Sequence, residues 1–257
     1  MKTVQLFGLN VWKEGMREAL TSCEAVIQTS DQQAKVVVTP NVDHLVKLRR
    51  NVSLFDQYRH ADFIFPDGFP IVLASRLLGK SISERVTGAD LFPALCKLMA
   101  KKQGRIFILG GAPDSEQMIN SALSIKYPGL TVQSFCPAYG FSENCSDAQK
   151  AVDLVNDWQP DVVFVCLGMP KQEIWSLKYR DVLKTNLILC VGAALEFDLG
   201  LLKRAPAWVQ AVNMEWLWRL CTDFKRLWKR YLVDDLVFMG ILYDEIRLVR
   251  KCSKNGT

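Results

Sequence analysis

The sequence predicts an α/β fold: a Rossmann-like, largely parallel sheet with helices on both faces, followed by a C-terminal helical, membrane-binding appendage. Three observations carry this reading. From Lys35 to Gly200, short apolar, β-branched runs alternate with stretches whose apolar residues recur at helical spacing. Several of the runs are apolar at nearly every position, as strands covered on both faces are. Beyond Arg204-Ala205-Pro206 the chain changes character, and Trp and basic residues concentrate.

In chain order, the strand runs are 35–38, 61–65, 105–109, 130–135, 162–167 and 187–191. The helical stretches between them include 91–102, 115–127, 148–158 and 172–183. Pro206 suits the first turn of a new helix, which places the boundary between an α/β catalytic domain, 1–204, and an appendage, 205–257. From Trp208, apolar residues recur every four positions through Val212, Trp216, Leu220 and Phe224, then at Leu227 and Tyr231. At about 100° per residue, Arg219, Arg226 and Arg230 fall in one row beside that stripe. The pattern fits a solvated amphipathic helix or a cationic binding face, and the Trp density argues for more than solvation. Residues 233–257, apolar over 236–243, fit a dimer contact, a lipid contact or a packed helix.

Composition removes several classes. With 49% apolar and 23% charged residues among 257, the chain is neither disordered nor collagen-like. Its longest apolar stretch, around 187–195, falls short of the ~18–20 residues of a membrane span. The N-terminus lacks the apolar core of a signal peptide. Eight cysteines without a CxxC pair suggest a reduced compartment, and two histidines make a His-rich metal site improbable. The net charge of +5 is localised. Residues 203–230 hold seven basic and two acidic side chains, the rest of the chain 25 of each. Four of the seven tryptophans share that window. Basic and aromatic residues together point to nucleic acid, a membrane surface or a phosphorylated ligand.

Open α/β sheets bind ligands at strand carboxyl ends. After 35–38 come Thr39-Pro40-Asn41, where Thr39 or Asn41 either caps a helix or lines a site. After 61–65 comes Pro66-Asp67-Gly68, either a turn or a carboxylate poised as a general base. Arg85 is a candidate anion ligand, with Asp90 as a helix N-cap. Gly110-Gly111, Gly168 with Lys171 and Gln172, and Gly192 with Glu196 each follow a strand and open a helix, where backbone amides favour anions. Several such turns in one sheet suggest a nucleotide or sugar cleft. Glu196-Phe197-Asp198 is the nearest approach to a metal-binding DxD triplet and reads as structural.

Six motifs occur in one order: Thr39-Pro40-Asn41-x-x-His44, Pro66-Asp67-Gly68, Glu84-Arg85-Val86-x-Gly88-x-Asp90, Gly168-x-Pro170-Lys171-Gln172-Glu173, Lys203-Arg204-Ala205-Pro206, and a tail of Glu215-Trp216-Leu217-x-Arg219-Leu220 with Arg226-Leu227-Trp228-Lys229-Arg230-Tyr231-Leu232. Over residues 36–232 this closely resembles the WecG/TagA/CpsF family of bacterial glycosyltransferases (glycosyltransferase family 26).

The resemblance implies a hexosyltransferase that moves a sugar from a UDP-sugar to an undecaprenyl-diphosphate-linked acceptor at the cytoplasmic face of the inner membrane. It implies inversion, no bound metal and no cofactor. Asp67 matches the family's proposed base, Thr39 and Asn41 line the same pocket, and Arg85 and Gln172 match further active-site positions. Tyr139 and Glu196 match uridine contacts, although Asp is usual at 196. Gly192-Ala193 replaces a more usual Gly-Gly. The diphosphate would meet Arg219, Arg226 and Arg230, with Lys229 where the family carries Arg. The appendage would then rest on an anionic membrane surface and close over the diphosphate once docked. The donor is expected to be UDP-N-acetylmannosamine or its uronate. Rival readings are a UDP-glucose-dependent enzyme, a non-catalytic nucleotide-binding module and a membrane scaffold. No nucleic-acid partner is expected, and homo-oligomer formation stays open.

Overall fold

The computed structural model describes residues 2–29, 33–206, 208–209, 217–218 and 235–255. At its centre lies an eight-stranded sheet, built from β1 (Thr3–Leu6), β2 (Leu9–Trp12), β3 (Lys35–Val38), β4 (Phe63–Ile64), β5 (Arg105–Gly110), β6 (Thr131–Phe135), β7 (Val162–Cys166) and β8 (Leu187–Cys190). Their spatial order is β1-β2-β4-β3-β8-β7-β5-β6. All pairings are parallel except the β1–β2 hairpin. The helices are α1 (Met16–Ile27), α2 (Val42–Arg50), α3 (Val52–Tyr58), α4 (Phe69–Leu77), α5 (Gly88–Lys101), α6 (Glu116–Lys126), α7 (Ser146–Trp158), α8 (Lys171–Tyr179), α9 (Ala194–Asp198) and α10 (Asp235–Asn255).

Strand periodicity divides the core in two. On β5, Ile106 and Ile108 face one layer while Phe107 and Leu109 face the other, and none is exposed. The first layer holds α1, α5, α6 and α9; the second holds α2, α3, α4, α7, α8 and α10. Burial on both faces is why the central strands read as uninterrupted apolar runs.

Differences from the sequence reading have local causes. The run 61–65 shortens to Phe63–Ile64 because the Asp62 carboxylate, not a strand partner, takes the Val36 amide at 2.9 Å. The helix 172–183 stops at Tyr179, and Arg180 turns to the His60 carbonyl (3.0 Å) and to Asp62 (2.5 Å). The β1–β2 hairpin is an addition. Its turn residues, Phe7 and Gly8, both take positive φ, as a two-residue connection requires. The Phe7 ring is buried edge-on against Phe238 of α10, with centroids 5.8 Å apart.

Of the three readings for 236–243, the packed helix is the one observed. Phe238 and Leu242 enter the second layer, and α10 is tied down by Arg49–Asp244 (2.6 Å) and Lys80–Glu245 (3.0 Å). Among the described residues, no helix is long and apolar enough to cross a membrane.

Candidate functional site

The register brings five strand ends into line. Ile64 pairs with Val38, Val38 with Cys190, Cys190 with Val165, and Cys166 with Gly110. The residues that follow these ends are Asp67, then Thr39 and Asn41, then Gly192 and Glu196, then Gly168, Lys171 and Gln172, then Gly110 and Gly111. They share one edge of the sheet. Neighbouring strands there send their next helices to opposite faces, β5 to α6 and β7 to α8, and likewise β3 to α2 and β8 to α9. Such reversals open crevices at the carboxyl ends of strands.

At one end of this edge, backbone bonds fix a carboxylate. Thr39 Oγ1 donates to the Cys190 carbonyl at 3.3 Å, so it stitches β3 to β8. Asn41 caps α2 by accepting from the His44 amide at 3.2 Å, which is worth about 1 kcal/mol. The Asp67 amide donates to the Pro40 carbonyl at 2.8 Å, holding the Asp67 loop against the Asn41 loop. Gly68 then starts α4 with φ +138°, a conformation L side chains rarely adopt.

The Val86 amide donates to the Pro66 carbonyl at 2.9 Å, which draws Arg85 to the same loop. Phe69, Arg76, Glu84, Arg85 and Asp90 line a cavity of about 390 Å³ beside it. Asp90 is not the N-cap expected from the sequence. Thr87 caps α5, accepting from the Asp90 amide (3.1 Å) and donating to the Asp90 carboxylate (2.7 Å). This leaves the other Asp90 oxygen to meet Arg204 at 2.7 Å, where the chain leaves the α/β domain. Burial raises the Asp90 carboxyl, but hydrogen bonds from Arg204 and Thr87 and the charges of Arg204 and Arg85 hold it below its usual range.

At the other end, glycines serve packing as well as access. A Cβ on Gly110 would stand 2.6 Å from the Cys166 carbonyl oxygen of the neighbouring strand. On Gly111 it would stand 2.7 Å from Ile119. Glu196 is half-buried, its Oε2 is buried without a hydrogen-bond partner among the described residues, and burial pushes its carboxyl up. Asp198, two residues on, accepts from Lys126 and Tyr127 at 2.8 Å each and is a brace between α6 and α9. Lys171 is exposed at the start of α8, and Tyr139, in the loop after β6, is 91% exposed.

Gln172 is not at the surface of the cleft but beneath it, 2% exposed. Its Oε1 accepts from the Gly168 amide (3.2 Å) and the Gly192 amide (3.0 Å), joining the turns after β7 and β8. Its Nε2 donates to Glu173 Oε1 at 2.8 Å. Glu173 is fully buried, and burial pushes its carboxyl up to about 7. His44 Nδ1 lies 3.8 Å from the same carboxylate and 3.1 Å from the Tyr58 hydroxyl. The sequence reading assigned no role to Glu173, His44 or Tyr58. For Glu173 the local hint was Leu177, one helical turn on at i+4, which packs against the second core layer.

Arg219, Arg226, Lys229 and Arg230, the expected diphosphate ligands, lie outside the described residues. Among the described residues no group of three or more His, Cys, Asp or Glu is placed to hold a metal ion.

A doubly wound sheet that gathers carboxylates, an arginine and glycine turns at one edge defines the class of α/β proteins built to hold a polar ligand there. Residues 4–252 match the Glycosyl transferase WecG/TagA/CpsF family, and the chain belongs to it. It is a glycosyltransferase. Among its relatives is an N-acetylglucosaminyldiphosphoundecaprenol N-acetyl-beta-D-mannosaminyltransferase of Bacillus subtilis (strain 168), 30% identical over 82% of this chain and 80% of the relative. A protein of the same name from Bacillus spizizenii is 31% identical over 83% and 82%. One from Staphylococcus aureus (strain NCTC 8325 / PS 47) is 25% identical over 87% and 86%.

Proposed function

We infer that the chain transfers N-acetylmannosamine from its UDP derivative to N-acetylglucosaminyl-diphospho-undecaprenol, inverting the anomeric centre without a bound metal. The observation that carries this reading is the Asp67 corner. The backbone amide of Asp67, bonded to the Pro40 carbonyl, fixes the loop that carries its carboxylate beside the Asn41 loop. The Val86 amide on the Pro66 carbonyl joins to it the segment bearing Arg85. The names of the relatives supply the sugar and the acceptor.

In this reading Asp67 takes the proton from the acceptor hydroxyl as that oxygen bonds to the anomeric carbon. The bond from that carbon to the diphosphate breaks on the opposite face, and UDP leaves with the electron pair. Arg85, with Arg219, Arg226, Lys229 and Arg230 of the appendage, meets the charge that develops on the diphosphate. Thr39 and Asn41 shape the pocket around Asp67. Tyr139 offers its ring to the uracil, Glu196 its carboxyl to the ribose, and Gly110, Gly111, Gly168 and Lys171 line the donor's path. Residues 205–257 act as an appendage at the cytoplasmic face of the membrane, leaving the α/β domain at Arg204 and returning to it as α10.

A transfer assay tests the reading. UDP-N-acetylmannosamine, UDP-N-acetylmannosaminuronate and UDP-glucose are each offered with lipid-diphosphate acceptors and a chelator, to the wild type and to Asp67→Asn. Turnover is expected with the first donor, falling at least ~100-fold in the variant. Turnover with another donor alone overturns the sugar, and an equally active variant overturns the base. Loss of activity in the chelator overturns metal independence.

A further inference from the structure

Among the described residues, Gln172 is the one side chain that bonds the turns after both β7 and β8, and its grip depends on what holds its own amide. That partner is Glu173, buried at the sheet's edge, whose carboxylate accepts from the Gln172 amide and its own backbone amide, with its second oxygen, Oε2, without a hydrogen-bond partner among the described residues. A fully buried carboxylate so sparsely compensated is costly. A leucine or methionine there would remove that cost but leave the buried Gln172 amide without its acceptor, so what the carboxylate secures is the orientation of Gln172.

We propose that Glu173 is a positioning residue for donor binding: through the amide of Gln172 it sets how firmly the Gln172 carbonyl draws the Gly168 and Gly192 turns together, and its ionisation is the control. An ionised Glu173 makes the bond from Gln172 Nε2 charge-assisted, roughly twice as strong as a neutral one. Polarising the amide in turn makes its oxygen the better acceptor for the two glycine amides. Protonation of Glu173 weakens the whole chain of bonds without breaking it.

The surroundings make this carboxyl titratable near neutrality. Asp43, His44 and Lys47 of α2, Tyr58 of α3 and Cys190 of β8 are the charged and titratable groups set against it. Burial opposes its charge, which the Gln172 bond, its own backbone amide and Lys47 partly restore, while Asp43 opposes it further. Tyr58 and Cys190, both fully buried, are pushed well up and remain protonated. A charged His44, 3.8 Å away, would favour an ionised Glu173 as Lys47 does.

That the two turns serve the donor rests on the function proposed above, so the test separates the parts. Amide hydrogen exchange of Gly168 and Gly192 in the ligand-free protein reads the clamp alone. In wild type, protection of both amides is expected to rise about five- to tenfold from about pH 6 to about pH 8, once corrected for intrinsic exchange. Glu173→Gln, nearly isosteric, should hold both at the lower level throughout. Equal protection in wild type and variant at every pH overturns the clamp. Binding of UDP-N-acetylmannosamine, whose diphosphate diester does not titrate in that range, reads the consequence. Its Kd in wild type should tighten by the same factor, and Glu173→Gln should abolish the trend. A clamp that responds while the wild type binds no UDP-sugar sinks the donor assignment and leaves the clamp standing. A UDP-sugar bound with a Kd indifferent to Glu173→Gln sinks the proposal and leaves the donor reading intact.

Discussion

At the scale of single residues, Glu173 has a thermodynamic signature that a merely structural carboxylate on the surface lacks. In the unfolded chain its carboxyl titrates near 4.5; in the fold, burial pushes it up to about 7. Below about pH 4.5 both states hold the proton and the residue is neutral in the balance. As pH rises from there, the unfolded chain releases its proton first, so stability falls through the window and levels off above about pH 7. The full deficit is on the order of 3 kcal/mol. Glu173→Gln is therefore expected to raise the melting temperature by several degrees at about pH 8 and scarcely at about pH 4. A gain of the same size at both pH values would show that Glu173 does not titrate in that window. The variant should be the more stable protein and the poorer binder of donor at alkaline pH, the trade expected of a functional buried charge. Residues of this kind are the least legible in a sequence. Asp67 and Asn41 stand out because each follows a strand in a compact motif, and Arg85 because it stands in one just before a helix. Glu173 lies in Lys171-Gln172-Glu173, three polar letters that read as a solvated helix start, and only Leu177, one turn on, hints that this side turns inward.

At the scale of elements, the legible parts are those whose burial is uniform. β3, β5, β7 and β8 are covered on both faces, so nearly every residue had to be apolar, and their ends fall within a residue or so of the positions read from sequence. The hairpin of β1 and β2 escapes such reading. Its strands are four residues each, and its turn is Phe7-Gly8 rather than the Asn-Gly or Asp-Gly that signals a two-residue turn. Its place is decided by tertiary contacts, Phe7 on Phe238 and β2 on β4, which no local pattern reports. The glycine turns were legible as positions but ambiguous as to cause. Gly110 needs to be glycine because β5 and β7 converge there, whatever ligand lies beyond. Gly110→Ala would place a Cβ 2.6 Å from the Cys166 carbonyl oxygen, backbone against which little can yield, at φ +130°. The expected loss is about 3 kcal/mol in urea unfolding. An unchanged midpoint would mean that the two strand ends part easily, and the case for a rigid crevice between them would fail.

At the scale of the whole molecule, the excess of +5 and the clustered tryptophans lie between two anchored points. Arg204 is bonded to Asp90 beside the cavity of Arg85, and α10 is locked to α2 through Arg49–Asp244 and to the core through Phe238 and Leu242. This placement changes how the membrane role is to be tested. Deleting everything after Arg204 would strip α10 from the second layer along with the basic segment, and a loss of function would then report unfolding as readily as lost lipid contact. Charge removal by substitution is cleaner. Arg226→Gln, Lys229→Gln and Arg230→Gln together remove three positive charges and leave α10 untouched. If the segment rests on anionic headgroups, each basic residue contributes about 1 kcal/mol at the surface. The triple variant should then bind vesicles of phosphatidylglycerol and phosphatidylcholine about 100-fold more weakly than wild type. Binding to pure phosphatidylcholine should be weak for both proteins, and the wild-type advantage should shrink as salt shortens the Debye length. Because the same residues are proposed to meet the diphosphate, transfer to a short-chain, water-soluble acceptor is measured alongside. Weaker vesicle binding with that transfer intact confines the three residues to the membrane; loss of both gives them the double role. Vesicle binding unchanged by the triple substitution would refute the electrostatic docking of the segment and leave the +5 without a lipid counterpart.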